Sequence, residues 1–143
     1  MMGGVSLGQA QGMLADLCPY ELAAINECSR RLLQPLGNQV AGLWLFGSKA
    51  RRDFDADSDL DLLIIVDGAD SEIRDRIHLL AARVSYEYDV LINTHILSRE
   101  RWAELSHYQG TLWREVQRDG VALRMNSQLR ESQKVREPED IHL

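Results

Sequence analysis

The sequence predicts an α+β (α/β) domain built on a small β-sheet. Two observations lead there. Short apolar runs bounded by breakers, Val40–Phe46 and Leu60–Val66, have the length and flanks of buried strands. Stretches with apolar residues at helical spacing lie before, between and after them, and such alternation places helices against a sheet.

Taken in order, residues 1–18 form a Gly-rich N-terminal arm, with Gly3, Gly4, Gly8 and Gly12 and little patterning. Pro19 suits a first helical turn, where its missing N–H is not needed. Leu22, Ile25, Ser29, Leu32 and Leu33 make the inner face of that helix, and Pro35 with Gly37 should stop it. Val40–Phe46 is the first strand. Leu60–Val66, closed by Asp67-Gly68, is the strongest strand of the chain. Asp70 or Ser71 caps the next helix, whose apolar face is Ile73, Ile77, Leu80, Ala81 and Val84. Residues 89–97 (DVLINTHIL) alternate enough for a third strand headed by Asp89. Two short helices follow over 99–106 and 108–118, with Gly120 as a stop. The folded domain is expected over residues 19–123, and residues 124–143 read as a polar tail, disordered or helical only against a partner.

Composition narrows the classes. A chain of 143 residues fits one domain able to bury its own core. With 16 Lys+Arg against 22 Asp+Glu the net charge is −6, which disfavours a protein that wraps nucleic acid. Cys18 and Cys28 are too few for a disulfide framework and lack zinc-ligand spacing, so a reducing cytoplasm is the simple expectation. No signal peptide is apparent, and no apolar run approaches the roughly 20 residues that span a bilayer.

The chemistry concentrates between residues 47 and 61. Gly47-Ser48 ends a strand, ten positions follow, and Asp59-Leu60-Asp61 opens the next strand. Side chains alternate along a strand, so Asp59 and Asp61 share one face while Leu60, Leu62, Ile64 and Val66 face the core. Two like charges on one face repel, and a divalent cation between them resolves the conflict; their hard oxygens suit Mg²⁺. Such a pair can bridge two ions in phosphoryl chemistry. Alone, an Asp-x-Asp merely caps a strand entrance more often than not. Gly47 permits a sharp turn and close approach of an anion, and a helix starting at Ser48 would aim free N–H groups at phosphate. The imitation of a phosphate-binding loop by Gly42-x4-Gly47-Ser48-Lys49 fails, because the order is Ser-Lys and the intervening residues form a strand. His78, His95 and His107 share no metal-ligand spacing and read as surface or satisfied core residues; Trp44, Trp102 and Trp113 read as core.

The whole segment GSKARRDFDADSDLDLLIIV resembles the signature of the polymerase-β-like nucleotidyltransferase superfamily, and in particular the minimal nucleotidyltransferases. Gly47-Ser48, the Ala50-Arg51 step, the ten-residue gap and Ser58-Asp59-x-Asp61-Leu62 carry the likeness; Arg52 departs from it, since the family usually has glycine there. The resemblance implies a small mixed sheet flanked by helices. It implies Mg²⁺, two ions, held by Asp59, Asp61 and a third carboxylate on a neighbouring strand. Asp89 is the match for that third group and for the proton acceptor, with Asp67, Asp70 and Glu87 as weaker candidates. Gly47, Ser48 and Arg51 would hold the triphosphate of ATP or another NTP.

The implied activity is transfer of a nucleoside monophosphate to a hydroxyl. The chain has little room for an acceptor-binding domain, and minimal members pair with HEPN-domain toxins. The resemblance therefore points to an antitoxin that transfers AMP onto a tyrosine of such a partner. Two alternatives are a non-catalytic antitoxin that masks the partner, and an aminoglycoside-type transferase acting on a small molecule. Direct nucleic-acid and membrane partners are not expected, and homo-oligomerisation is left open.

Overall fold

The computed structural model describes residues 17–47, 59–68, 70–127 and 129. The elements run α1 (Pro19–Leu36), β1 (Val40–Phe46), β2 (Leu60–Val66), α2 (Ser71–Tyr88), β3 (Ile92–Ser98), α3 (Arg99–Tyr108), α4 (Thr111–Asp119) and β4 (Val121–Met125). The four strands form one mixed sheet in the order β3-β2-β1-β4. β1 is antiparallel to both β2 and β4, and β2 is parallel to β3. This is the α+β architecture with a small mixed sheet that the sequence predicts.

Local chemistry sets each boundary. Pro19 opens α1, and the Glu21 carboxylate accepts the Cys18 backbone N–H at 3.0 Å. The helix runs one residue past Pro35 before Gly37 ends it. Asp70 caps α2 by accepting the Ile73 N–H at 2.9 Å, and Ser98 caps α3 through Arg101 at 3.0 Å.

The sheet is buried between two helical layers. On one face Leu43, Leu45, Leu60, Leu62, Ile64 and Val66 meet α1 and α2. On the other, Trp44, Phe46, Leu63 and Ile65 meet Trp102 of α3, Val116 of α4 and Leu129. β2 is central, and every residue in it except Asp61 is buried, which explains its nearly unbroken apolar run. Cys28 lies wholly inside α1's core face, as its sequence context suggests, and burial pushes its thiol up to about 12.

Three expectations shift. The third strand begins at Ile92, and Asp89 instead closes α2 in the left-handed conformation (φ 55°, ψ 47°), its N–H bonded to the Ser85 carbonyl. A fourth strand, Val121–Met125, extends past the expected boundary after residue 123, and beyond it Leu129 is buried against the sheet. The two C-terminal helices end slightly later than their patterns suggest, at Tyr108 and Asp119.

Candidate active site

β1 and β2 together present one face whose rim is acidic. Phe46 pairs with Asp61, and Gly47 follows immediately with φ 85°. A left-handed backbone there favours glycine. Space is tight as well: an added Cβ would sit 2.6 Å from Asp61 Oδ2, so the carboxylate would have to give way. Gly47 is therefore packed directly against the Asp61 carboxylate.

Asp59 and Asp61 share that face, as alternation predicts, and Leu60 and Leu62 are buried on the other. The neighbouring strand meets them with amide and imidazole groups. Asp61 pairs with Asn93 across the parallel ladder. The Asn93 side-chain amide donates to Asp59 Oδ2 at 2.7 Å and leans on Asp61 Oδ1 at 3.5 Å, tying the two carboxylates together. His95 Nε2 stands 3.5 Å from Asp61 Oδ1, and its ring meets Phe46 edge-on with centroids 5.1 Å apart. The Asp61 and His95 side chains keep 26% and 41% of their surface exposed, so the cluster opens to solvent.

The other sequence-predicted residues are placed as follows. Gly47 is at the site. Ser48 and Arg51 lie outside the described residues. Asp89 lies at the same end of the sheet, because β2 and β3 start side by side, but it is three residues before β3 and off the strand. The β3 positions that face the pair are Asn93 and His95. The weaker acidic candidates have structural partners: Asp67 forms a two-pronged ion pair with Arg99 (2.7 and 3.3 Å), Asp70 is the α2 cap, and Glu87 pairs with Arg31 at 2.6 Å. His95 and Asn93 are the site residues that sequence reasoning missed. The register of β2 against β3, which no local pattern carries, is the signal that finds them.

The donor chemistry fits a divalent cation in part. Two carboxylates on one open face suit a hard ion, and Mg²⁺ is commonly held by one or two carboxylates with water and substrate phosphate completing its shell. Among the described residues, no three His, Cys, Asp or Glu side chains gather closely enough to hold an ion by themselves. A nucleotide would therefore have to bring ligands of its own. No helix among the described residues is long and apolar enough to cross a membrane.

Comparison with known proteins bears on family and fold. The family model described as the nucleotidyltransferase domain matches residues 25–109. A Methanocaldococcus jannaschii protein named as a protein adenylyltransferase is 34% identical over 76 residues, spanning 52% of this chain and 77% of its own. A crystal structure of a toxin–antitoxin with AMP-PNP aligns with a TM-score of 0.52 at 21% identity, covering 73% of this chain and 77% of that one. A variant of the MntA-HpeT toxin–antitoxin aligns at 0.50 and 21% identity, over 73% and 76% of the two chains. These two likenesses are of fold.

Proposed function

This chain belongs to the nucleotidyltransferase domain family and is a nucleotidyltransferase, and on that premise we propose that it transfers AMP from ATP to a tyrosine hydroxyl of a HEPN-domain toxin, acting as its antitoxin. The observation that carries the reading is the joint position of Asp59 and Asp61 on one open face of β2, with Gly47 packed against Asp61. The relative named as a protein adenylyltransferase supports a protein acceptor, and the toxin–antitoxin likeness supports a toxin as that protein. A net charge of −6 suits a basic, RNA-binding partner.

In the proposed reaction the acceptor oxygen attacks the α-phosphorus. The bond from that phosphorus to the bridging α,β-oxygen breaks, and pyrophosphate leaves with its electron pair. Phosphoryl chemistry of this kind is mostly positioning and charge stabilisation. Bound Mg²⁺ would neutralise the charge that builds on the phosphate oxygens. Asp59 and Asp61 would hold it, with Asn93 fixing the Asp59 carboxylate through the 2.7 Å bond. Gly47, and with it Ser48 and Arg51, would receive the triphosphate tail. Asp89, off the strand but at the same end of the sheet, would take the acceptor's proton.

The test is to incubate the chain with ATP, Mg²⁺ and its co-purifying toxin, then weigh the toxin by mass spectrometry. A gain of one or more AMP units, lost in a folded Asp61→Asn protein, supports the reading. Silencing of the toxin without a mass gain would replace it with a masking antitoxin. Pyrophosphate release with aminoglycosides and no partner would replace it with a small-molecule transferase.

A further inference from the structure

α1 and α2 pack side by side on one face of the sheet, and the groove between them opens into a cleft of about 250 Å³ lined by Arg31, Arg76, Leu79, Leu80 and Arg83. The chain carries a net charge of −6, yet this cleft gathers three guanidinium groups around two leucines. We infer that the cleft is the docking site for the protein acceptor, and that it takes an amphipathic helix whose apolar ridge is flanked by Asp or Glu. The inference rests on the proposed reading that the acceptor is a protein, and adds where that protein is held.

Charge comes first. Arg31 is already answered: Glu27 and Glu87 each accept from it at 2.6 Å, which pins it as the wall of the cleft on the α1 side. Arg76 and Arg83 form no ion pair among the described residues, so two positive charges stand there unanswered. They are seven residues apart, two helical turns, with Leu79 between them on the same stripe and 55% exposed. Tyr86, three residues after Arg83 and 89% exposed, continues the stripe. Arg and Tyr are the residues that protein interfaces favour. The stripe also leads to the site. It climbs α2 towards Asp89, about 20 Å from Arg76 at 1.5 Å per residue, and Asp89 lies at the end of the sheet that holds Asp59 and Asp61. The shape selects a helix, because the groove of a helix pair receives the ridge of a third through anchors three, four and seven residues apart. Acids at that last separation would meet Arg76 and Arg83 together. The outer edge of β3 is closed to an added strand: Ser85 Oγ accepts the Ile92 N–H at 3.2 Å, and Arg74 donates to the Ile96 carbonyl at 2.9 Å.

The test uses the full chain with its co-purifying toxin. Arg76→Glu combined with Arg83→Glu should leave Tm and ATP affinity unchanged, since both side chains are exposed and stand apart from the proposed nucleotide site. The same pair should raise the KM for toxin about 100-fold or more while kcat at saturating toxin is retained, the pattern of lost uniform binding. Leu79→Asp, at an exposed position, should do likewise. Added salt should weaken the wild-type complex more than that of the double variant. An Asp→Lys or Glu→Lys substitution in the toxin should restore binding to Arg83→Glu. Unchanged toxin binding by the double variant would overturn the inference and leave the proposed function standing. A wild-type dimer that the same two substitutions dissociate, with toxin binding kept, would also overturn it and give the groove to a second copy of the chain. Toxin that binds the wild type and not the double variant, yet gains no AMP mass, would uphold the groove and overturn the proposed function.

Discussion

The α-carbon of Gly47 lies so close to the Asp61 carboxylate that a methyl group on it would fall 2.6 Å from Oδ2. Two residues fourteen positions apart are thereby packed against each other, with no room for a side chain between the α-carbon of one and the carboxylate of the other. Gly47→Ala should act on both. The left-handed backbone, at φ 85°, costs an alanine about 1–2 kcal/mol, a fall in Tm of roughly 3–8 °C. The new Cβ also displaces Asp61, and an ångström at such a site is worth about 100-fold in rate. Removing the obstacle should return part of the lost stability. A double-mutant cycle of Gly47→Ala with Asp61→Ala, followed by thermal melts, should show coupling of about 0.5–3 kcal/mol, where independent sites would simply add.

Asp89 offers an unusual control. It occupies a left-handed helix cap, the position glycine fills most readily. Asp89→Gly therefore removes the carboxylate while easing the backbone. Melting temperature should hold or rise slightly, and AMP transfer should fall at least 100-fold if this carboxylate accepts the proton. Undiminished transfer in a protein of equal or greater stability would assign Asp89 to capping alone.

This residue also marks where sequence reading stops. Alternation in LDLLIIV made β2 and the shared face of Asp59 and Asp61 legible, because the period of a strand is local information. A resemblance in the same stretch made the family legible. The partners across the sheet were not, since a residue's neighbour on the next strand depends on register, and register is settled by the packing of α2 and both strands together. Hence Asp89, an acid ahead of an apolar run, reads as a strand head, while His95 reads as surface. β4 escaped for a different reason: VALRM is five residues long, buries alternate positions and carries Arg124, so its pattern merges with the polar stretch after it.

Acid should separate one surface network from the rest of the fold. Arg30 and Arg31 hydrogen-bond the Glu27 carboxylate and hold it down to about 2 from an ordinary 4.5. Arg31 also reaches Glu87 at 2.6 Å, so the cluster joins α1 to α2. A carboxylate with a depressed folded pKa stabilises above its unfolded value and loses that contribution as pH falls through the folded one. The Tm difference between the wild type and Glu27→Gln should thus be constant from pH 7 to about 5.5, shrink below 4.5, and vanish near pH 2. A difference that persists at pH 2 would mean that packing of the side chain, and not its charge, carries the effect.

Leu129, beyond β4, belongs to the core. The Asn126 N–H donates to the Ala41 carbonyl at 2.8 Å, and Asn126 Oδ1 accepts the Leu129 N–H at 2.9 Å, turning the chain back over the sheet. Leu129 is then buried beside Trp44, whose ring lies over Gly42; a Cβ on Gly42 would meet Trp44 Cζ3 at 2.3 Å and Leu129 Cδ2 at 2.8 Å. Glycine, indole and leucine form a stack, with Trp102 tilted against Trp44 at 5.9 Å. Leu129→Ala should cost about 2–5 kcal/mol, as buried leucines do when the space cannot collapse. A chain ending at Leu123 should lose more, because the pairs Leu43–Arg124 and Gly42–Met125 go as well. Tryptophan emission shifted to the red and a lower midpoint in urea would follow in both proteins. Loss of toxin co-purification after truncation at Leu123 would then report an unfolded sheet edge before it reported a docking segment, and Leu129→Ala, which leaves residues 130–143 in the chain, is the variant that tells the two apart.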